Sequence, residues 1–180
     1  MVNNKMVLET KNLLIRQFKK NDDVDLLEAM ACPQVHRMYN NEFTDIDKVQ
    51  RYIQLLIREN PSGKIRTLAI AEKSTDKLIG SITIDVTDIF ARAEISYWIN
   101  KNYRNMGYAT ETVKAIIAYS FDILSLNRVQ AFTSNPASER VLKKAGMVYE
   151  GTLRQYFKRG DDFWDAKMYA ILKKDFNFTK

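Results

Sequence analysis

An α+β (mixed α/β) fold in a single domain is what this sequence predicts, and three observations carry it. Ile82, Ile84 and Val86 alternate with Ser81, Thr83 and Asp85, the period of a half-buried strand. Val113, Ile116, Ile117, Ser120, Phe121 and Leu124 recur at i, i+3, i+4 and i+7, the period of an amphipathic helix. The two patterns follow one another without internal repeat: two helices, a meander, strand–helix–strand–helix, then a hairpin. With 180 residues the chain matches the usual size of one domain, expected to span 1–180.

Each element has a local reason. Residues 8–18 hold the apolar run Leu13-Leu14-Ile15 and read as a strand. Asn21-Asp22-Asp23 supplies short side chains that cap orphan helix N–H groups. Val24, Leu27 and Ala31 then recur at helical spacing until Pro33 breaks the helix. A second helix covers 44–58, capped by Thr44 with Asp47 three residues on, and Ile46, Val49, Ile53 and Leu56 form its apolar stripe. Pro61-Ser62-Gly63 is a turn. Residues 67–72 and 78–86 are strands joined through Ser74-Thr75-Asp76-Lys77. In a strand over 93–100, Ile95, Tyr97 and Ile99 oppose Glu94, Ser96 and Trp98. Residues 109–124 form the strongest helix and 128–134 a strand. Asn135-Pro136 opens the next helix as cap and first helical residue, and Gly146 closes it in the left-handed region. Residues 148–158 and 163–172 form the final hairpin, on which Phe163 and Trp164 either anchor a dimer or fill the core.

Composition narrows the function classes. Apolar residues at 46% and charged residues at 28% are ordinary globular usage, which excludes disorder, collagen and disulfide scaffolds for the whole chain. No apolar run reaches the length of a membrane helix, and residues 1–10 lack the apolar core of a secretory signal, so a cytoplasmic protein is expected. The formal charge of +6 favours an anionic partner, such as a phosphorylated cofactor, a nucleic acid or an acidic surface. Nucleic-acid binding is not favoured, because the basic run Lys158-Arg159 meets Asp161-Asp162 at once. Cys32 and His36 are the only residues of their kinds, which gives no support to a zinc site, an internal disulfide or a Cys/His nucleophile pair; no metal is expected.

The chemistry concentrates in residues 93–111. A strand ends there, a loop with Arg104, Asn105 and Gly107 follows, and the strong helix begins. Free N–H groups at such a helix start, with the helix dipole behind them, suit a phosphate or diphosphate. Gly107 permits close backbone approach, Asn105 tolerates left-handed geometry, and Lys101 and Arg104 add positive charge. The plainer alternative is an ordinary strand-to-helix connection. Neither a Walker loop nor a Gly-x-Gly-x-x-Gly fingerprint is present.

Arg104-Asn-Met-Gly107-Tyr-Ala109 resembles the Arg/Gln-x-x-Gly-x-Gly/Ala signature of the GNAT N-acetyltransferases, and Tyr108-Ala-Thr-Glu111 is similar to its Rim-type subgroup, the ribosomal-protein alanine/serine N-acetyltransferases. The resemblance continues in Leu8 to Arg16, in Asn135-Pro-Ala-Ser138 through Ala145-Gly-Met147, in Glu150-Gly-Thr-Leu-Arg154, and in Gly160 followed by Asp165-Ala-Lys-Met-Tyr169. Two departures stand out: Asn105 where the family often has Gly, and Ala-Gly-Met in place of Leu-Gly-Phe.

The resemblance implies a GNAT-like domain, with a central twisted, mostly antiparallel sheet and a parallel strand pair opening a V-shaped acetyl-CoA cleft flanked by helices. It implies acetyl-CoA as co-substrate and direct acetyl transfer to an amine. The pyrophosphate is expected on Arg104, Asn105, Met106, Gly107, Tyr108, Ala109 and Thr110, and the pantetheine arm along Trp98 and Ile99 like an added strand. Lys143, with Lys101 and Lys144, is expected near the nucleotide phosphates. Asn135 is a helix cap, a contact to the cofactor arm, or both; Ser138 is either a plain first-turn serine or the hydroxyl that meets the departing sulfur. Glu94 is the first candidate base, with Asp85 and Glu150 in reserve. Losing its proton at pH 7 costs an α-amine about 1 kcal/mol and a lysine several, so a modest base suffices for a protein N-terminus. The resemblance to the Rim-type subgroup implies such a terminus, that of a ribosomal protein, as the acceptor. A polyamine, amino acid or aminoglycoside, or a non-catalytic acyl-CoA-binding module, stays open, as does monomer or homodimer.

Overall fold

Twelve regular elements follow one another in the computed structural model, which describes residues 7–30, 45–59 and 64–176. They are β1 (Val7–Glu9), β2 (Leu13–Arg16), α1 (Asp23–Met30), α2 (Ile46–Glu59), β3 (Ile65–Glu72), β4 (Leu78–Thr87), β5 (Arg92–Ile99), α3 (Tyr108–Asp122), β6 (Arg128–Thr133), α4 (Pro136–Lys144), β7 (Val148–Arg159) and β8 (Asp162–Leu172). The strands hydrogen-bond in the order β1-β2-β3-β4-β5-β6-β8-β7, mostly antiparallel, with β5 and β6 parallel. The expected α+β class is therefore what the chain adopts. The chain forms two compact units, residues 1–84 with 97–112, and residues 85–96 with 113–180.

In the first unit, β2 pairs antiparallel with β3 from Leu13↔Glu72 to Arg16↔Ala69. Phe18, Leu26, Ala29, Met30, Val49, Ile53, Ala69, Leu78 and Trp98 form one buried cluster. Helix α2 meets it through Val49 and Ile53, as its apolar stripe predicts. Helix α1 uses the expected stripe only in part: Leu27 packs partly buried against the cluster, but Val24 is 68% exposed and Leu26, Ala29 and Met30 are the buried residues. Eight residues hold two apolar phases, and the neighbours decide between them. Trp98 also departs from expectation. It shares strand parity with the exposed Ser96 but is only 6% exposed, because side chains of α1 and α2 cover that face.

Asp22 does more than start a helix. It accepts the Lys19 N–H at 2.7 Å and takes the buried Arg16 guanidinium bidentately at 2.8 and 2.9 Å. Arg16 Nε reaches Asp76 at 2.7 Å in the β3–β4 turn, where Lys19 also pairs with Asp76. Ala31, Cys32, Pro33, His36, Thr44 and Pro61-Ser62-Gly63 lie outside the described residues.

In the second unit, β5 and β6 pair at Arg92↔Arg128, Ala93↔Val129 and Glu94↔Gln130. Strand β8 joins β6 from Arg128↔Leu172 to Thr133↔Lys167. Val113, Ile116, Ile117, Ser120 and Phe121 are fully buried, the predicted face of α3. Gly146 stands at φ 87° after α4, and Met147 N–H returns to Leu142 O at 3.0 Å, closing the expected left-handed cap. The β7–β8 register shifts between Leu153 and Phe157, where Gln155 at φ 53° donates its N–H to Asp165 Oδ1 at 2.9 Å. Phe163 and Trp164, 55% and 50% exposed, do not fill the core: they sit beyond the part of β8 that β6 covers.

Gly80 lies where β4 runs close to β5. A Cβ there would stand 2.4 Å from Trp98 O and 2.9 Å from Ile99 Cδ1. The first atom is backbone and cannot swing aside. Gly80→Ala is expected to destabilise the chain by roughly 1–3 kcal/mol, the cost of overpacking, read from urea unfolding.

Candidate active site

The first unit builds a turn from the end of β5 into α3. The Asn100 N–H donates to Ile79 O at 2.8 Å, and its side-chain oxygen accepts the Asn102 N–H at 3.1 Å, which folds Lys101–Tyr103 into a single 3₁₀ turn. Glu28 of α1 receives Lys77 at 3.0 Å and also the side chains of Asn100 and Asn102. The Lys77 hydrogen bond, against a cost of burial, holds the Glu28 carboxyl below the usual carboxylate range, and the two asparagines add to it. Arg104 Nε turns back to Ile99 O at 3.2 Å.

Asn105 and Gly107 both adopt positive φ, 65° and 84°. The chain reverses there and enters α3. The first intrahelical bond is Glu111 N–H to Gly107 O at 3.0 Å. The N–H groups of Tyr108, Ala109 and Thr110 therefore have no acceptor within the helix. Arg104, Asn105, Met106 and Gly107 are exposed beside them. Among the described residues, no atom beyond its two chain neighbours lies within 4 Å of the place a Gly107 Cβ would take, so it is the dihedral that favours glycine. Three amides and the positive end of a helix dipole make an anion cradle.

The second unit holds the remaining predicted residues. Glu94 on β5 is half-buried and accepts a hydrogen bond from Gln130, its register partner on β6. Burial raises its pKa, and the charge of Asp85 adds to that against the opposing pull of Gln130 and Arg92. Glu150 has the opposite environment. Hydrogen bonds from Arg128, one at 2.9 Å, hold it below the usual range, which makes it the weaker base.

Asn135 Oδ1 accepts the Ala137 N–H at 2.9 Å, the cap that its position predicts, and Pro136 is the first helical residue. Ser138 is half-buried in the first turn. Its neighbour Glu139 accepts Lys167 at 2.8 Å and the Tyr169 hydroxyl at 3.0 Å. Lys143 is exposed with its Nζ 6.0 Å from the Tyr169 ring centroid, and Lys144 is exposed.

Trp98 to Thr110 thus form one continuous piece of the first unit, while Glu94, Asn135, Ser138 and Lys143 belong to the second. The Trp98 ring is in the core, packed with the buried side chains of α1 and α2. Two residues of the turn escaped the sequence reading. Asn100 carries no local sign of its burial. Glu111 stands in a first helical turn, where an acid is ordinary.

Residues 12–148 match the acetyltransferase (GNAT) domain family. The chain belongs to this family, and membership makes it an acetyl-CoA-dependent N-acetyltransferase. It is 31% identical over 173 residues to the uncharacterized N-acetyltransferase p20 of Bacillus licheniformis, covering 94% of this chain and 97% of that protein. The crystal structure of a GNAT-family acetyltransferase from Bacillus anthracis superposes with a TM-score of 0.81 at 26% identity, over 94% of this chain and 99% of the other. The ribosomal-protein-serine acetyltransferase of Escherichia coli is 29% identical over 98 residues, 53% of this chain and 55% of that one.

Gly107→Ala adds no steric clash, so its effect isolates the left-handed backbone. The expected loss is about 1–2 kcal/mol in urea unfolding, because an L side chain disfavours that region.

Proposed function

We propose that this chain passes the acetyl group of acetyl-CoA to the α-amine at a protein N-terminus, of the ribosomal-protein type. The observation that carries the acetyl-CoA part is the array of amides at Tyr108, Ala109 and Thr110, without acceptors in their own helix, behind the left-handed Asn105 and Gly107. Those amides hold the diphosphate, with Arg104 and Lys143 supplying charge. The peptide edge of Trp98 and Ile99 meets the amides of the pantetheine arm; β6 pairs with β5 only at Arg92, Ala93 and Glu94. Asn135 caps α4 with its oxygen and offers its NH₂ to the arm.

Glu94 takes one proton from the incoming ammonium, directly or through a water, and burial, which raises its pKa, makes it a stronger base than an ordinary carboxylate. The freed nitrogen attacks the thioester carbonyl carbon. A C–N bond forms, the C–S bond breaks, and the second nitrogen proton ends on sulfur. A backbone N–H of the Trp98–Ile99 edge stabilises the developing oxyanion, and Ser138 donates a hydrogen bond to the departing sulfur.

The acceptor assignment rests on the likeness to the Escherichia coli enzyme and on the low deprotonation cost of an α-amine, about 1 kcal/mol at pH 7. Such an acceptor puts the reaction in the cytoplasm. A thiol-release assay tests it with peptides bearing free Ser or Ala termini, the same peptides N-blocked, spermidine and an aminoglycoside. Turnover of the free peptides, abolished by blocking, is expected. Turnover of spermidine alone reassigns the acceptor, and acetyl-CoA binding without any turnover makes the chain a binding module.

Two variants check the roles. Glu94→Gln is expected to lower kcat/KM roughly 10²-fold, the low end for a general base. In the parent, activity rises as pH rises through the Glu94 pKa, which lies above the ordinary carboxylate value; that acidic limb should vanish in the variant. Ser138→Ala should lower kcat by about 10-fold, the worth of one hydrogen bond to a charged group, while acetyl-CoA affinity holds.

A further inference from the structure

The Glu111 carboxylate is spent on a distant piece of chain. Thr10 Oγ1 donates to its Oε1 at 2.6 Å, the Asn12 N–H to the same oxygen at 2.7 Å, and Asn12 Nδ2 to Oε2 at 2.8 Å. These donors sit on the β1–β2 turn, which is closed independently. Thr10 N–H reaches Leu13 O at 3.0 Å, Leu13 N–H returns to Thr10 Oγ1 at 3.0 Å, and Lys73 N–H donates to Asn12 O at 2.9 Å. Burial works against the charge of Glu111, but the hydrogen bonds from Thr10 and Asn12, with Lys11 nearby, hold its carboxyl below the usual range. It is ionised at neutral pH.

A negative charge there is costly for the proposed ligand. Glu111 follows directly after Thr110, the last amide of the cradle, where it repels a diphosphate. An acid that served only the helix dipole would do so from solvent, without a set of three donors.

We propose that Glu111 is a positioning residue: it fastens the start of α3 to the β1–β2 turn, so that the amides of Tyr108, Ala109 and Thr110 keep the spacing a diphosphate needs. The proposal rests on the reading of this turn as the acetyl-CoA diphosphate site. It fixes the sign of a measurement, because loss of the charge alone tightens anion binding whereas loss of the anchor weakens it.

The test is calorimetric titration of acetyl-CoA into the parent chain and Glu111→Gln, with hydrogen–deuterium exchange over residues 104–112. The expected result is a Kd about tenfold higher, the effect of a lost charged hydrogen-bond set, with faster exchange at 108–110. Asn12→Ala removes one donor and leaves the charge in place; about threefold weaker binding is expected, in the same direction. Asp88→Asn, a charge loss at an exposed position in the β4–β5 turn, should leave Kd unchanged. Unchanged or tighter acetyl-CoA binding by Glu111→Gln overturns the proposal, and so does a lowered melting temperature with Kd unmoved. If Glu111→Gln does not fold, Asn12→Ala decides by the same criterion. A parent chain that binds no acetyl-CoA overturns the acetyl-donor reading and this proposal together; a parent that binds, with variants that bind equally well, overturns this proposal alone.

Discussion

Backbone N–H groups at the start of an α-helix have no carbonyl of their own helix to meet, and a protein that uses them must hold them still. In this chain the groups are those of Tyr108, Ala109 and Thr110. Their usefulness depends on the residues just before them. Asn105 and Gly107 at positive φ bring the strand into the helix, and the Asn100 side chain folds the 3₁₀ turn upstream. The cradle is a property of backbone shape, so side-chain identity within it matters chiefly where it sets a dihedral.

The carboxylates of the chain show how environment sorts one chemical group into different tasks. Asp22 is buried against the Arg16 guanidinium and joins β2 to the start of α1, a pair whose disruption typically costs 3–5 kcal/mol. Glu150 is held ionised by Arg128. Glu94 is half-buried beside Asp85 without a guanidinium clamp, and its proton affinity rises. Only the last environment suits a group that has to take up and release a proton during turnover.

Much of the fold was legible because it is local. The stripe of α3 from Val113 to Phe121, the Asn135-Pro136 helix start and the Gly146 stop depend on neighbours within a few residues, and each is found as read. The left-handed turn into α3 was legible for the same reason, since Asn105 and Gly107 stand directly before the helix. Val24 and Trp98 were misjudged, and Phe163 and Trp164 left between two readings, because their burial depends on which other element covers them. Strand parity puts Trp98 with Ser96, and it cannot say that α1 and α2 arrive over one and not the other.

By itself the sequence determined the element order, the caps, the left-handed positions and the family, because each is written in residue spacing and backbone preference. Only the tertiary structure decided that Asn100 is buried under the turn, that burial raises the pKa of Glu94 while Arg128 lowers that of Glu150, and that Glu111 binds Thr10 and Asn12 about a hundred residues away. The physical reason is common to all three. A carboxylate's proton affinity and an amide's hydrogen bonds depend on dielectric and on donors within a few ångströms, and those are supplied by segments remote along the chain.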